Sequence, residues 1–242
     1  MRSVAVGIFC KTPSAGFSKT RLSPPLRPED CAVLSACFIR DMAATIHGLS
    51  LDGEVAPYAV YTPVGTEPRL RALLPPSFSL LAQCDGDFGT RLLRATADLL
   101  CAGHPGAILV NADSPTLPAS ILRAAVDAVR GKDAVVLSPA LDGGYTLIGL
   151  SRPHASVFAD IPWSTSQVYG LTVQRAAEIG VPVIDVPGWY DVDDKQTLRL
   201  LEAELAGELL PFAEPGTSGA PAPATRRFLE ERHAPARAGL SW

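Results

Sequence analysis

Short apolar runs alternate with helical stretches along most of this chain, and that alternation fixes the class of fold. Residues 4–9, 56–61, 78–81, 107–110, 134–137, 145–149 and 181–186 read as strands. Between them, residues 28–49, 67–74, 88–101, 118–130, 165–179 and 193–206 read as helices. Strands joined through helices need crossover connections, so the chain should form a mostly parallel sheet covered on both faces, an α/β three-layer architecture. Residues 145–149 are placed as an antiparallel strand. Pro28, Glu29 and Asp30 open the first long helix, a proline in its first turn and two acids where the helix dipole favours them.

Composition narrows the class further. Hydrophobic residues make up 47% and charged residues 19% of the 242, enough apolar material for a sizeable core. The net charge of -4 argues against a broad nucleic-acid footprint. No apolar stretch is expected to span a bilayer, and the apolar start, closed by Lys11, reads as a first core strand rather than a signal segment. Five scattered cysteines, Cys10, Cys31, Cys37, Cys84 and Cys101, fit neither a zinc site nor a disulfide framework. They are expected to be small buried apolar residues in a reducing cytoplasm. Residues 1–210 are read as one domain and 211–242 as a Pro/Ala/Gly-rich linker and peripheral tail, with a short helix over 226–232.

Chemistry concentrates where strands end. After the 107–110 run come Asn111, Ala112, Asp113, Ser114 and Pro115. A buried strand cannot keep a lone carboxylate, so Asp113 should emerge at the strand's carboxyl end, where open α/β sheets bind ligands. A hard cation such as Mg²⁺ takes one or two such carboxylates plus substrate phosphates, whereas a plain turn before Pro115 would need no ligand. The loop after the first strand holds Lys11, Gly16, Lys19, Thr20 and Arg21 at the same sheet edge; it is either a solvated basic loop or, as its position favours, a phosphate-binding set, although not a Walker A loop. Asp142-Gly143-Gly144-Tyr145 is either a tight turn or a place where bare backbone N–H groups meet a ligand beside Tyr145. Ser164 or Thr165 should cap the next helix, with Trp163 lining a pocket or the core edge. Asp191, Asp193 and Asp194 precede the last core helix. A cap needs one acid, so the other two either point outward into solvent or let Asp191 or Asp193 approach Asp113 and complete a metal site.

Lys19-Thr20-Arg21-Leu22, Gly86-Asp87-Phe88-Gly89-x-Arg91, Asp113-Ser114-Pro115, Asp142-Gly143-Gly144-Tyr145, Ile161-Pro162-Trp163-Ser164 and Asp191-Val192-Asp193 follow in this order. Together they resemble the bacterial glycosyltransferase family DUF2064 over about residues 3–206, and more distantly phospholactate and molybdenum-cofactor guanylyltransferases. The resemblance implies a GT-A, nucleotide-diphospho-sugar transferase fold with a Rossmann-like mixed sheet. It also implies substrate contacts from Lys11, Gly16, Thr20, Gly86, Arg91, Ser114, Gly143, Gly144, Tyr145 and Trp163. Classical GT-A enzymes carry Asp-x-Asp, but Ser114 and Pro115 follow Asp113 here, so the Asp191/Asp193 loop would have to supply the second carboxylate.

The reading that results is a transferase with Mg²⁺ or Mn²⁺ at Asp113, Asp191 and Asp193, in which Lys19 and Arg21 stabilise the leaving diphosphate. Asp142 is the candidate general base. Glycosyl transfer from a nucleoside diphosphate sugar is the first expectation. Nucleotidylyl transfer from a nucleoside triphosphate to a phosphorylated acceptor is the alternative, and a non-catalytic nucleotide-binding protein the third.

Overall fold

A computed structural model describes residues 2–213 and 217–233. Its centre is a seven-stranded sheet in the order β3-β2-β1-β4-β6-β5-β7. The strands are β1 (Val4–Lys11), β2 (Val55–Thr62), β3 (Ser79–Ala82), β4 (Ala107–Asn111), β5 (Val135–Pro139), β6 (Tyr145–Leu150) and β7 (Val183–Asp185). All ladders are parallel except those of β6, which runs antiparallel to both β4 and β5. The helices are α1 (Pro28–Ser50), α2 (Glu67–Arg71), α3 (Phe88–Cys101), α4 (Ala119–Gly131), α5 (Val168–Glu178), α6 (Lys195–Leu205) and α7 (Pro223–His233). This is the Rossmann-like, three-layer mixed sheet expected from the sequence.

Alternation along each strand builds two cores. Val4, Val6, Ile8 and Cys10 of β1 join Ile108 and Val110 of β4 beneath α1, α4 and α6. Ala5, Leu109, Leu137 and Ile148 face the other way, against Leu92, Ala95 and Leu99 of α3 and Ala176 of α5. The chain leaves β1 toward β2 and β3, then returns through α3 to β4 on β1's other side. The carboxyl ends of β1 and β4 therefore flank a topological switch point, the place where such sheets bind ligands.

Four expectations need correction. α1 is 23 residues long and apolar enough to pass for a membrane span, which the sequence reading did not foresee. It is nonetheless a core helix: Leu34, Phe38, Ile39, Met42 and Ile46 are fully buried within the protein. Only Cys10, Cys31 and Cys37 are buried; Cys84 is half-buried and Cys101 exposed, and all five thiols are free. Neither Ser164 nor Thr165 caps α5, which starts at Val168 after Gln167 with no side-chain cap. The Thr165 hydroxyl instead donates to Pro162 O at 2.7 Å and shapes the loop ahead of the helix. Finally, the terminal helix is not peripheral. α7 docks on α1, where the buried Asp41 carboxylate accepts from the N–H groups of Ala224 (2.9 Å) and Thr225 (2.8 Å), and Leu229 is buried. A helix start has unpaired N–H groups, and here a carboxylate from another helix satisfies two of them.

Candidate functional site

The loop after β1 makes a sharp turn at Lys19, whose φ of 50° places it in the left-handed region. A 3-10 turn, Thr20–Leu22, follows and buries Leu22. This geometry drives the Lys19 side chain inward, leaving it 5% exposed. Its ammonium lies 2.8 Å from Asp113 Oδ1 and 2.9 Å from Asp193 Oδ1, and donates to Val192 O at 2.7 Å. Burial alone would lower the ammonium's pKa, but Asp113 and Asp193 outweigh it and hold the group above its ordinary 10.5. Acids from the middle and far end of the chain thus meet on a cation from its beginning.

The acidic loops are also joined through the backbone, Val192 N–H donating to Asp113 O at 2.9 Å. Beneath them lies a buried polar network. Trp189 Nε1 donates to Thr116 Oγ1 at 3.2 Å, and the Tyr190 hydroxyl donates to Glu204 Oε2 on α6 at 2.5 Å. Thr116 and Tyr190 also lie within hydrogen-bond range at 3.4 Å. Asp194, the third acid, is the α6 cap: its carboxylate accepts from the N–H groups of Gln196 and Thr197. That leaves Asp191 and Asp193 for the cleft, as the acid count implied. Asp191 has its carboxyl pushed up to about 7, first by burial, then by the carboxylates of Asp142, Asp193 and Asp113.

Two connected cavities open here. The smaller, about 260 Å³, is lined by Lys11, Ser18, Lys19, Thr20, Arg21 and Asp113 among others. The larger, about 530 Å³, adds Phe88, Arg91, Asp142, Gly144, Tyr145, Trp163 and Asp191. Arg21, Asp113 and Asp193 line both. Arg21 is 68% exposed and 3.9 Å from Asp193 Oδ2, so it remains available to a ligand. Lys11 stands over the Phe17 ring at 5.1 Å.

Other expected contacts are used differently. Lys19 is held by the two acids and Val192 O, which makes it the brace of the acidic pair rather than an open phosphate ligand. Gly143 and Gly144 do not offer bare N–H groups: Gly143 N–H donates to Ala140 O at 3.2 Å and Gly144 N–H to Asp142 Oδ1 at 2.8 Å. Gly143 has φ of 87°, and a Cβ there would lie 2.4 Å from Ser166 O, so the glycine serves the turn and its packing. Gly16, Gly86, Gly143 and Ser114 are not among the residues lining the two cavities. Gly86 takes φ of 126° ahead of α3. Ser114 is fully buried, its hydroxyl without a partner among the described residues. Sequence reasoning missed Asn111 and Thr146 as lining residues, although both sit at the ends of recognisable strands.

An all-oxygen donor set suits a hard divalent cation, and four carboxylates (Asp113, Asp142, Asp191 and Asp193) line the larger cavity, while the buried Lys19 ammonium, on the smaller one, braces two of them. Among the described residues no three His, Cys, Asp or Glu side chains converge enough to hold a metal ion unaided. Asp113, Asp191 and Asp193, the set expected from the sequence, therefore do not form a ready-made three-carboxylate site, and a cation here would need one or two carboxylates together with substrate phosphates.

A protein from Desulfovibrio desulfuricans G20, described as a candidate nucleotide-diphospho-sugar transferase, superposes with a TM-score of 0.80 at 26% identity, covering 96% of each chain. CMP:2-keto-3-deoxy-manno-octonic acid synthetase, complexed with CTP, matches at 0.55 and 14% identity over 86% of this chain and 100% of its own. A cytidylyltransferase from Leptospira borgpetersenii serovar Hardjo-bovis (strain JB197) matches at 0.53 and 14% over 87% and 89%. At these identities the last two establish a shared fold. No curated protein sequence matches. The family described as uncharacterized protein conserved in bacteria (DUF2064) matches residues 30–165, more than half of the chain, and this protein belongs to it.

Proposed function

We propose that this protein is a metal-dependent transferase that uses a nucleotide-activated donor, and that the donor is a nucleoside diphosphate sugar. One observation carries the reading: the acidic pair Asp113/Asp193 and the basic loop of Lys11, Lys19 and Arg21 meet at the β1/β4 switch point, beside a cleft of about 530 Å³. Likeness over nearly the whole chain to the Desulfovibrio protein supports it.

Asp113 and Asp193 would hold Mg²⁺ or Mn²⁺, with Asp191 beside them, and the cation would supply positive charge to the donor's diphosphate. Lys19 positions the two acids from within. Arg21 and Lys11 contact phosphate oxygens from the smaller cavity and stabilise charge as it develops on the leaving group. The larger cavity takes the sugar and its acceptor between Tyr145 and Trp163. Transfer joins the acceptor oxygen to the anomeric carbon as that carbon's bond to the diphosphate breaks, and the nucleoside diphosphate leaves with the electron pair. In an inverting transfer the Asp142 carboxylate takes the acceptor's proton.

A second reading is favoured by Lys11 and Arg21 on the smaller cavity, two cations outside the Lys19 brace that can contact the oxygens of a triphosphate. There the product would be pyrophosphate, released as a nucleotidyl group moves to a phosphorylated acceptor. Incubating the protein with panels of nucleotide sugars and triphosphates, with and without Mg²⁺ or Mn²⁺, separates the two. Metal-dependent release of nucleoside diphosphate from a nucleotide sugar is the expected result. Pyrophosphate from a triphosphate in the presence of a phosphorylated acceptor would replace it with the second reading.

A further inference from the structure

Arg91 is the larger cavity's other arginine, and a glutamine beside it holds it in place. Its Nη1 donates to Gln83 Oε1 at 3.1 Å and its Nε to the Asp87 carbonyl at 3.4 Å. The guanidinium carbon sits 5.5 Å from the centre of the Phe88 ring. Gln83 is itself fixed, because its Nε2 donates to Cys10 O at 3.1 Å and Val60 O at 2.9 Å, near the ends of β1 and β2. Two carbonyl partners settle which end of the amide is nitrogen, so the oxygen must face Arg91. A glutamine anchored on two strands thereby holds a guanidinium in one orientation.

No carboxylate lies within salt-bridge distance of that guanidinium among the described residues, although Asp87 feels its charge, and its Nη2 donates to no protein acceptor there. Arginine carries five N–H donors in a planar fork that matches carboxylate and phosphate oxygens two at a time. The Phe88 ring beside it stands edge-on to Trp163, with ring centres 4.9 Å apart, so an aromatic wall adjoins the cation. A fixed, half-buried arginine without a salt bridge, at an aromatic wall, fits a ligand with an anion attached to a ring or other apolar frame.

We propose that Arg91, positioned by Gln83, docks a carboxylate or phosphate on the molecule that occupies the larger cavity, at a subsite separate from the one Arg21 and Lys11 offer to a diphosphate. Only the identity of that molecule, transferred group or acceptor, rests on the transferase reading; the anion subsite rests on Arg91 and Gln83 themselves.

Titrating the protein with phenyl phosphate, benzoate and phenol, followed by ligand-detected NMR and by the Arg91 Nε–H resonance, tests it. At least one anion should bind roughly tenfold or more tightly than phenol and shift that resonance, as expected for a charge-assisted pair. Phenyl phosphate ahead of benzoate would indicate a phosphorylated ligand, and the reverse a carboxylate. Arg21→Ala, which disables the diphosphate subsite, should leave the preference in place, and in that background Arg91→Ala should abolish it, Arg91→Lys should keep only part of it and Gln83→Ala should weaken it. Should Arg91→Ala not fold, Arg91→Lys and Gln83→Ala carry the comparison. Binding of both anions no tighter than phenol overturns the proposal. So does a preference that disappears in Arg21→Ala, or that survives both Arg91 substitutions in that background. If nucleotides fail to bind while the preference holds, the transferase reading falls and the Arg91 subsite stands.

Discussion

Replacing Lys19 by Met removes the cation and leaves most of the side chain's apolar body, which isolates the electrostatic role. The ammonium makes three short contacts, to Asp113 (2.8 Å), Asp193 (2.9 Å) and Val192 O (2.7 Å). Breaking a fully buried charge pair by removing one partner costs about 3–5 kcal/mol. Here only the lysine is buried. The Asp113 and Asp193 side chains are 37% and 42% exposed and recover hydration once freed, so the loss should be smaller. A figure of about 2–3 kcal/mol follows, from hydrogen bonds to charged groups worth roughly 1.5–3 kcal/mol each and partly replaced by water. For a chain of this size that lowers the melting midpoint by roughly 4–12 °C, at about 2–4 °C per kcal/mol. Denaturant unfolding of Lys19→Met, Asp113→Asn and the double variant should show coupling, the double variant being more stable than the sum of the single losses allows. Mg²⁺ should also stabilise Lys19→Met more than the native protein, because the freed carboxylates then lack any internal cation. Additive losses, or a Lys19→Met protein as stable as the parent, would refute the assignment of Lys19 as the brace of the acidic pair.

Other consequences are equally direct. Glu204→Ala should cost about 1–3 kcal/mol in chemical denaturation, since it leaves the Tyr190 hydroxyl buried without its acceptor. Gly143→Ala should lose about 1–2 kcal/mol from the left-handed backbone alone, before its 2.4 Å approach to Ser166 O is counted, and its thermal midpoint will register the loss. Burial holds the Asp41 carboxyl above its ordinary 3.8 despite its bonds to Thr225 and Ala224. Stability from its protonated form is therefore fully present below the unfolded value and is lost as pH rises through the folded one. Melting curves across that window should slope down with pH, and Asp41→Asn should flatten the slope; equal slopes would contradict the burial argument. Arg21→Ala should weaken nucleotide binding while moving the midpoint little, because the side chain is largely exposed.

The sheet was legible because strand alternation and helix periodicity are local properties, and the seven strands lie where the apolar runs lie. Asp113 and the cations after β1 could likewise be placed, since each closes a strand at the same sheet edge. What sequence could not show depends on contacts between distant segments. Lys19 disappears between two acids only because its backbone turns left-handed, and the sequence signals nothing unusual for a lysine there. Gln83 holding Arg91, Thr116 meeting Trp189 and Asp41 capping α7 each join separate elements through one side chain, a pattern that leaves no periodicity. The 142–145 segment left two readings open, a tight turn or ligand-facing N–H groups, and only contacts within the folded loop decide for the turn. A flexible, exposed Gly-Gly can offer its N–H groups to a ligand, but here Ala140 and Asp142 accept both.

The claim on which the rest depends is that one cleft binds nucleotide and divalent cation together through Asp113. Calorimetric titration of nucleoside diphosphates and triphosphates into the native protein and Asp113→Asn, each with Mg²⁺ and with a chelator, tests it most directly. The account predicts binding to the native protein that requires Mg²⁺ and is lost or severely weakened in Asp113→Asn. Equal affinity with and without the cation, unchanged by the substitution, would contradict it.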